Sequence, residues 1–152
     1  MVGPKNDKDN KDDNEGRGTR YHAKQAITGP GTFEWVFEEK KTSLLATSAL
    51  LVRVLIAKVE SKDRLESILR NVPTRQDVAG WNCVGWVKEA LQSLEADGKA
   101  LGTGVTEWTR VKTTAMEYCD RKKKEHRFQS QGDYDMSKVP TYDLIEMRET
   151  TV

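Results

Sequence analysis

A helix begins in the stretch Trp81-Asn82-Cys83-Val84-Gly85-Trp86-Val87. Asn82 is a preferred N-cap residue, so Cys83 is predicted to occupy the first helical position. Gly98 is placed to end the helix, because glycine tolerates the left-handed conformation found just past a helix end. Between the two caps, apolar residues recur at helical spacing, and we expect them to face a core: Val84, Val87, Leu91 and Leu94.

Two strand patterns precede this helix. Residues 33–38 alternate aromatic and mostly acidic side chains, which predicts a half-buried strand. Residues 19–26 predict a second strand, with Tyr21 on one face and His22 on the other. Residues 28–31, Thr-Gly-Pro-Gly, supply the turn between the two strands. We therefore expect a β-hairpin ahead of the helices.

The rest of the chain adds further elements. Residues 50–59 are rich in aliphatic side chains and predict a central strand. A short helix is expected between Ser61 and Pro73, and a third helix begins near Thr106. Residues 139–145 predict a last edge strand. Strands followed by helices indicate an α+β fold, a small antiparallel sheet packed against about three helices.

The length of 152 residues fits one domain. We expect a strand remnant followed by a disordered, charged loop in residues 1–18, since residues 5–18 hold no apolar side chain. Residues 19–146 are predicted to form the single α+β domain. Residues 147–152 are predicted to form a flexible tail.

Composition excludes several classes of function. Net charge is +1, which gives no basic footprint for nucleic acid. The basic run at 121–124 is expected to be a solvated helix end. The longest apolar stretch is far shorter than the ~20 residues of a membrane span, and no secretory signal opens the chain. We therefore expect a soluble, cytoplasmic protein with reduced thiols at Cys83 and Cys119.

Cys83 is the strongest candidate for chemistry. The unpaired amides and positive dipole end of a helix start favour thiolate over thiol, although small thiols also occur there for packing alone. A cysteine nucleophile needs a base, and the chain has two histidines. His22 is the better partner because a strand holds its ring at a fixed depth, whereas His126 follows a basic helix end. The position of His22 favours, by a small margin, an edge-facing polar residue that is hydrogen-bonded to a neighbouring loop.

The sequence contains no motif for a zinc site or a phosphate-binding loop. Two histidines and two distant cysteines give no zinc spacing, so no metal is expected. Residues 102–104, Gly-Thr-Gly, lack the Lys-Ser/Thr of a phosphate loop and predict an interhelix turn. No cofactor is expected.

The same residues carry two resemblances. The first is to a family of uncharacterised fungal proteins, and it spans nearly the whole chain. It rests on the helix-start stretch at 81–87 and on four further segments: Arg20-Tyr21-His22-Ala23-Lys24, Leu51-Val52-Arg53-Val54-Leu55-Ile56, Ala96-Asp97-Gly98-Lys99-Ala100-Leu101-Gly102 and Val139-Pro140-Thr141-Tyr142-Asp143-Leu144. This resemblance brings no established activity.

The second resemblance is to the circularly permuted papain-like superfamily of the lecithin:retinol acyltransferases. Tyr21-His22-Ala23 is similar to that superfamily's strand motif, and Asn82-Cys83 matches the start of its nucleophile motif. The Glu-His-Phe that follows the cysteine in the superfamily is Val84-Gly85-Trp86 here. The superfamily's principal histidine precedes the segment that resembles Val2-Gly3-Pro4-Lys5, so the expected topology lacks its first strand.

The resemblance implies that Cys83 is the nucleophile and His22 the orienting member of a triad whose principal histidine is missing. The chain would then be an impaired cysteine hydrolase or acyltransferase acting on an acyl or peptide substrate. The alternative is a non-catalytic domain on the same scaffold, binding an unknown protein partner.

Overall fold

The computed structural model describes residues 1–3, 17–43, 46–47, 49–129 and 134–151. These residues hold three helices, two antiparallel two-stranded sheets and one mixed sheet, which confirms the α+β class. The chain forms two compact units. Unit 1 comprises Met1–Leu44 and Ser61–Ala100, and unit 2 comprises Leu45–Glu60 and Leu101–Val152. Most of the predicted charged loop lies outside the described residues.

Unit 1 contains the predicted hairpin. Strand β1 (Arg17–Gly29) pairs antiparallel with β2 (Thr32–Ser43). Gly31 closes the turn with a φ of 73°, a conformation that costs glycine little. Strand β1 buries alternate side chains, as its pattern predicts: Thr19, Tyr21 and Ala23. Beside it, Val2 forms an isolated antiparallel bridge with Thr19.

Two helices complete unit 1. Helix α1 (Lys62–Asn71) buries Leu65 and Leu69. Helix α2 (Cys83–Asp97) starts at the N-cap Asn82 and ends at Gly98, whose φ is 65°, so both predicted caps are confirmed.

The buried stripe of α2 differs from the predicted one, because Val84 and Val87 are exposed. The large ring of Trp86 takes the core position instead, with its centroid 5.7 Å from that of Phe37 on β2. The face that α2 buries is therefore: Trp86, Ala90, Leu91 and Leu94.

Unit 2 corrects four predictions. The expected central strand 50–59 is instead two short strands, β3 (Arg53–Leu55) and β4 (Ala57–Val59), which join different sheets. Strand β4 pairs with β5 (Leu101–Gly104), where an interhelix turn was predicted. Strand β6 (Thr141–Asp143) is the middle strand of the order β3–β6–β7, not an edge. Part of the predicted tail forms β7 (Arg148–Thr151).

Gly104 explains the misassigned turn. A Cβ built at Gly104 would lie 2.5 Å from the Cβ of Ala57 on the neighbouring strand, so only glycine fits at this strand crossing. Glycine in a strand often marks such a close backbone approach and not a turn.

The third helix, α3 (Trp108–Lys124), lies in unit 2 and starts at the N-cap Glu107, close to its predicted start. Its basic end was expected to be solvated, but Lys122 is buried among carboxylates of Glu125 and Glu149. Among the described residues, none of the helices is long and apolar enough to span a membrane.

Candidate functional site

Cys83 is the first residue of α2, and its side chain is an exposed free thiol. The Oδ1 atom of Asn82 accepts hydrogen bonds from the amides of Val84, at 2.9 Å, and Gly85, at 3.3 Å. These two amides are among those that a thiolate at a helix start would use. Within the described residues, the side chain of Cys83 has no hydrogen-bond partner. The helix start is therefore capped by its own asparagine.

Trp81 lies across the first turn of α2. Its indole Nε1 donates a 2.9 Å hydrogen bond to Glu89, and a Cβ at Gly85 would lie 3.1 Å from its ring. Gly85 thus leaves room for the indole. The Arg75 guanidinium makes a two-oxygen contact with Glu89 and is the largest cause of a lowered pKa for that carboxyl. The ion pair and the indole together fix the loop before α2.

His22 lies on β1 in a cluster of charges. Its Nε2 is 2.8 Å from Oε2 of Glu38, the residue opposite it on β2. Arg20 and Lys24 contact the same carboxylate, which therefore has three basic partners. The hydrogen bonds from His22, Lys24 and Arg20, in that order, lower the pKa of Glu38 to about 2.

The two faces of the hairpin separate His22 from α2. Tyr21 donates a hydrogen bond to Glu66 of α1, and Phe37 packs against Trp86 of α2, so this face meets the helices. Successive side chains of a strand point to opposite faces, which places His22 on the other side. The described structure thus does not bring His22 to Cys83, and a catalytic role for the pair stays a prediction.

The remaining sequence candidates lie in unit 2. Cys119 is a free, partly exposed thiol on α3. His126 follows α3 with a φ of 57°, is exposed, and contacts Gln129 through Nδ1. A shallow groove on α3 is lined by Trp108, Met116 and neighbours from that helix alone. No cluster of metal-binding side chains occurs in the part of the chain that the structure describes.

Apolar side chains, three of them exposed, occur at the hairpin tip and at the start of α2. Ile27 and Phe33 are cross-strand partners and are 77% and 57% exposed. Phe33 shares its face of β2 with Trp35, whose ring meets Trp81 edge to face at 5.6 Å. Val84, 48% exposed, follows Trp81 closely at the start of α2. We call these five residues the aromatic surface.

Sequence reasoning missed this surface. The alternation in β2 predicted a half-buried strand, and helical spacing assigned Val84 to the core. Gln76 was missed as well. Its side-chain amide accepts a 2.8 Å hydrogen bond from the Trp35 N–H and donates a 2.7 Å hydrogen bond to the Trp35 carbonyl. These contacts join residues far apart in the chain, so no local pattern reveals them.

Comparison with known proteins gives a family but no activity. The model of a family of unknown function, DUF6914, matches residues 1–151. No curated protein and no solved structure matches the chain. The expectation of an uncharacterised family is thereby confirmed, while a fungal origin and a permuted papain-like relationship stay predictions.

Proposed function

The chain belongs to this family of unknown function, and we propose that it is a non-catalytic protein-interaction domain. One observation carries the proposal: within unit 1, the aromatic surface combines three exposed apolar side chains, those of Ile27, Phe33 and Val84, with the half-buried, contacting rings of Trp35 and Trp81. Large apolar side chains scattered singly are normal on a protein, but a contiguous apolar patch is typical of an interaction site. Ile27 and Phe33 occupy the hairpin tip, where burial by a partner would remove both from water.

The composition of the surface supports a protein partner. Trp residues are enriched among the side chains that dominate binding energy, and the aromatic surface holds Trp35 and Trp81. The Trp81 indole is held by its hydrogen bond to Glu89, and the Trp35 ring packs edge to face against it, so both rings are ordered before binding. Side chains that are already ordered lose less entropy on association.

A mutational comparison tests the interaction function. In this test, partner proteins are chemically cross-linked to the full chain and recovered by pull-down. Phe33→Glu places a charge on the aromatic surface, and we expect this variant to recover no cross-linked partner. Thr32→Glu is the matched control, since it adds the same charge to the adjacent exposed residue. Cys83→Ala should leave the partner bound. Loss of the partner with Cys83→Ala but not with Phe33→Glu would contradict the proposal.

A second candidate is an impaired cysteine hydrolase or acyltransferase on the permuted papain-like scaffold. It is favoured by the exposed position of Cys83 at the first residue of α2. Cys83 would be the nucleophile, and His22 would orient or deprotonate it. Glu38 holds the His22 imidazole on the face away from α2, so activation would require His22 to leave Glu38.

Thiol labelling separates the two candidates. If His22 activates Cys83, then His22→Gln slows alkylation of Cys83 by iodoacetamide near neutral pH. If the chain is a non-catalytic domain, the alkylation rate of Cys83 is the same in both proteins. Cys119 supplies the internal reference, because its rate should not respond to His22.

A further inference from the structure

The outer edge of β2 carries a contact that imitates a neighbouring strand. Gln76 bonds both the N–H and the C=O of Trp35, at 2.8 and 2.7 Å. In an antiparallel sheet, a residue facing its partner in a hydrogen-bonded pair exchanges the same two bonds. The carboxamide of glutamine has the same donor and acceptor as a peptide group. Gln76 therefore occupies the place of one residue of a docked strand.

The same edge continues beyond Gln76. The outward groups of a strand recur every second residue, so those of Phe33 and Phe37 face the same side as those of Trp35. In the part of the chain that the structure describes, no residue forms a backbone hydrogen bond with these groups. Phe33 is exposed and Phe37 is half-buried. One side chain thus covers the middle of an otherwise unpaired edge.

We propose that the outer edge of β2, from Phe33 to Phe37, docks an extended peptide of a partner protein, which displaces the Gln76 amide. The proposal rests on the proposed interaction function and names its binding mode. Main-chain hydrogen bonds would supply affinity, as in other cases of strand addition, and alternate side chains would supply specificity.

Charge complementarity indicates the partner's sequence pattern. One face of β2 carries the apolar side chains of Trp35 and Phe37, while the other carries the carboxylates of Glu34 and Glu38. Glu38 is already bound by three basic groups of β1, but Glu34 is exposed and forms no ion pair within the described residues. A peptide that alternates basic and apolar residues matches both faces.

Strand β1 already pairs with β2 through an alternation of basic and apolar side chains. On the inner edge, it presents Arg20, His22 and Lys24 to the acidic face, and Tyr21 and Ala23 to the apolar face. The expected partner repeats on the outer edge the chemistry that β1 provides on the inner one. The sequence of β1 is therefore a rational probe.

The test uses an acetylated, amidated, fluorescent peptide with the sequence of residues 20–27. Binding to the full chain is measured by fluorescence anisotropy. We expect weak, saturable binding to the unaltered protein and binding about tenfold tighter to Gln76→Ala, since two competing hydrogen bonds are removed. Amide chemical-shift changes should centre on Phe33–Phe37. The conservative variant Gln76→Glu cannot donate to the Trp35 carbonyl and should give an intermediate affinity.

Two controls make the outcome decisive. A peptide with proline at its central position lacks one main-chain donor and should lose most of its affinity for both proteins. Glu34→Lys should weaken binding of the basic peptide, and it does not touch the Gln76 contact. It therefore serves as the test if Gln76→Ala fails to fold.

Equal affinity of the unaltered protein and Gln76→Ala, binding that tolerates the proline, or no binding to either protein would overturn strand docking. If Phe33→Glu still removes the cross-linked partner in any of these cases, the interaction function stands and only this binding mode is wrong. If Phe33→Glu has no effect while the peptide behaves as expected, the mode stands and the aromatic surface is not the partner's main contact.

Discussion

Each unit contains one charged side chain that is bound by several side chains of opposite charge, and the sign of the central charge differs between the units. In unit 1, one carboxylate, Glu38, is surrounded by three basic side chains on a partly exposed hairpin face. In unit 2, one ammonium, Lys122, is bound by the carboxylates of Glu125 and Glu149, at 2.8 and 2.5 Å. The Lys122 side chain is only 2% exposed. The basic side chains around Glu38 are open to solvent, whereas the Lys122 cation is shielded from it and only its carboxylate partners are partly exposed.

This difference in burial decides what each cluster does for stability. Exposed ion pairs contribute little, because water and salt screen them and ordering long side chains costs entropy. A buried charge is costly without its partner, so breaking a buried pair destabilises a protein strongly. Tyr118 adds to the buried network by donating a 2.6 Å hydrogen bond to Glu149. We infer that the Lys122 network holds β7 on α3, whereas the Glu38 cluster orders the surface of the hairpin.

The largest effect is expected for Lys122→Met. The substitution keeps an unbranched side chain only one atom shorter but removes the cation, which leaves the carboxylate of Glu149 partly buried beside Glu125. We expect the free energy of unfolding to fall by about 3 kcal/mol in chemical denaturation. Lys123→Met is the matched control, since the neighbouring Lys123 is exposed. Equal losses of unfolding free energy for Lys122→Met and Lys123→Met would contradict the inference that burial makes the ion pairs of Lys122 strongly stabilising.

The next effect concerns acid stability through Glu149. Burial acts to raise the pKa of Glu149, but the hydrogen bonds from Lys122 and Tyr118 outweigh it, and the pKa is lowered from 4.5. A carboxyl whose folded pKa is lowered adds stability above its unfolded pKa and loses it as pH falls through the folded value. We expect Glu149→Gln to lose stability near neutral pH and to flatten the fall in unfolding free energy below about pH 4.5. Unfolding followed from pH 7 to pH 2 checks this, and an unchanged pH profile would contradict it.

The smallest effect is expected for Glu38→Gln. The pKa of Glu38 is lowered to about 2 by His22, Lys24 and Arg20, so its contribution is present above pH 4.5 and disappears between pH 4.5 and pH 2. The basic partners of Glu38 are 29–45% exposed, whereas Lys122, the basic partner of Glu149, is 2% exposed, so we expect a loss smaller than that of Glu149→Gln. High salt should remove most of the difference between Glu38→Gln and the unaltered protein, because ions screen exposed pairs. If the difference did not depend on salt, the ion pairs of Glu38 would be as well shielded from solvent as those of Lys122, contrary to our expectation.

The sequence predicts elements whose signals are local. Alternation in residues 19–38 marks the hairpin, and the asparagine and glycine at positions 82 and 98 mark the ends of α2. Each of these signals lies within or next to the element that it marks, and reading it requires no knowledge of distant partners.

Features that depend on distant partners escaped prediction. Lys122 sits in a basic run that predicts a solvated helix end, and its burial requires Glu149 from a later strand. In the sequence alone, Gly104 predicts a turn. Its place in a strand is evident only from the close approach of Ala57 on the neighbouring strand. In the same way, Cys83 and its cap are evident in the sequence, while the separation of His22 from α2 follows from which hairpin face meets the helices. The Gln76 contact with Trp35 has no local signature at all.

The interleaving of the two units also sets an order for synthesis of the chain. Every residue of unit 1 precedes Leu101, so this unit can be completed while the last third of the chain is still being made. Strand β3 must wait, because Arg53 pairs with Thr141. At about 10 residues per second, that delay is on the order of ten seconds, far longer than a hairpin takes to form. During this interval the aliphatic segment around β3 has no strand to pair with. We therefore expect chaperones to bind this segment of the nascent protein.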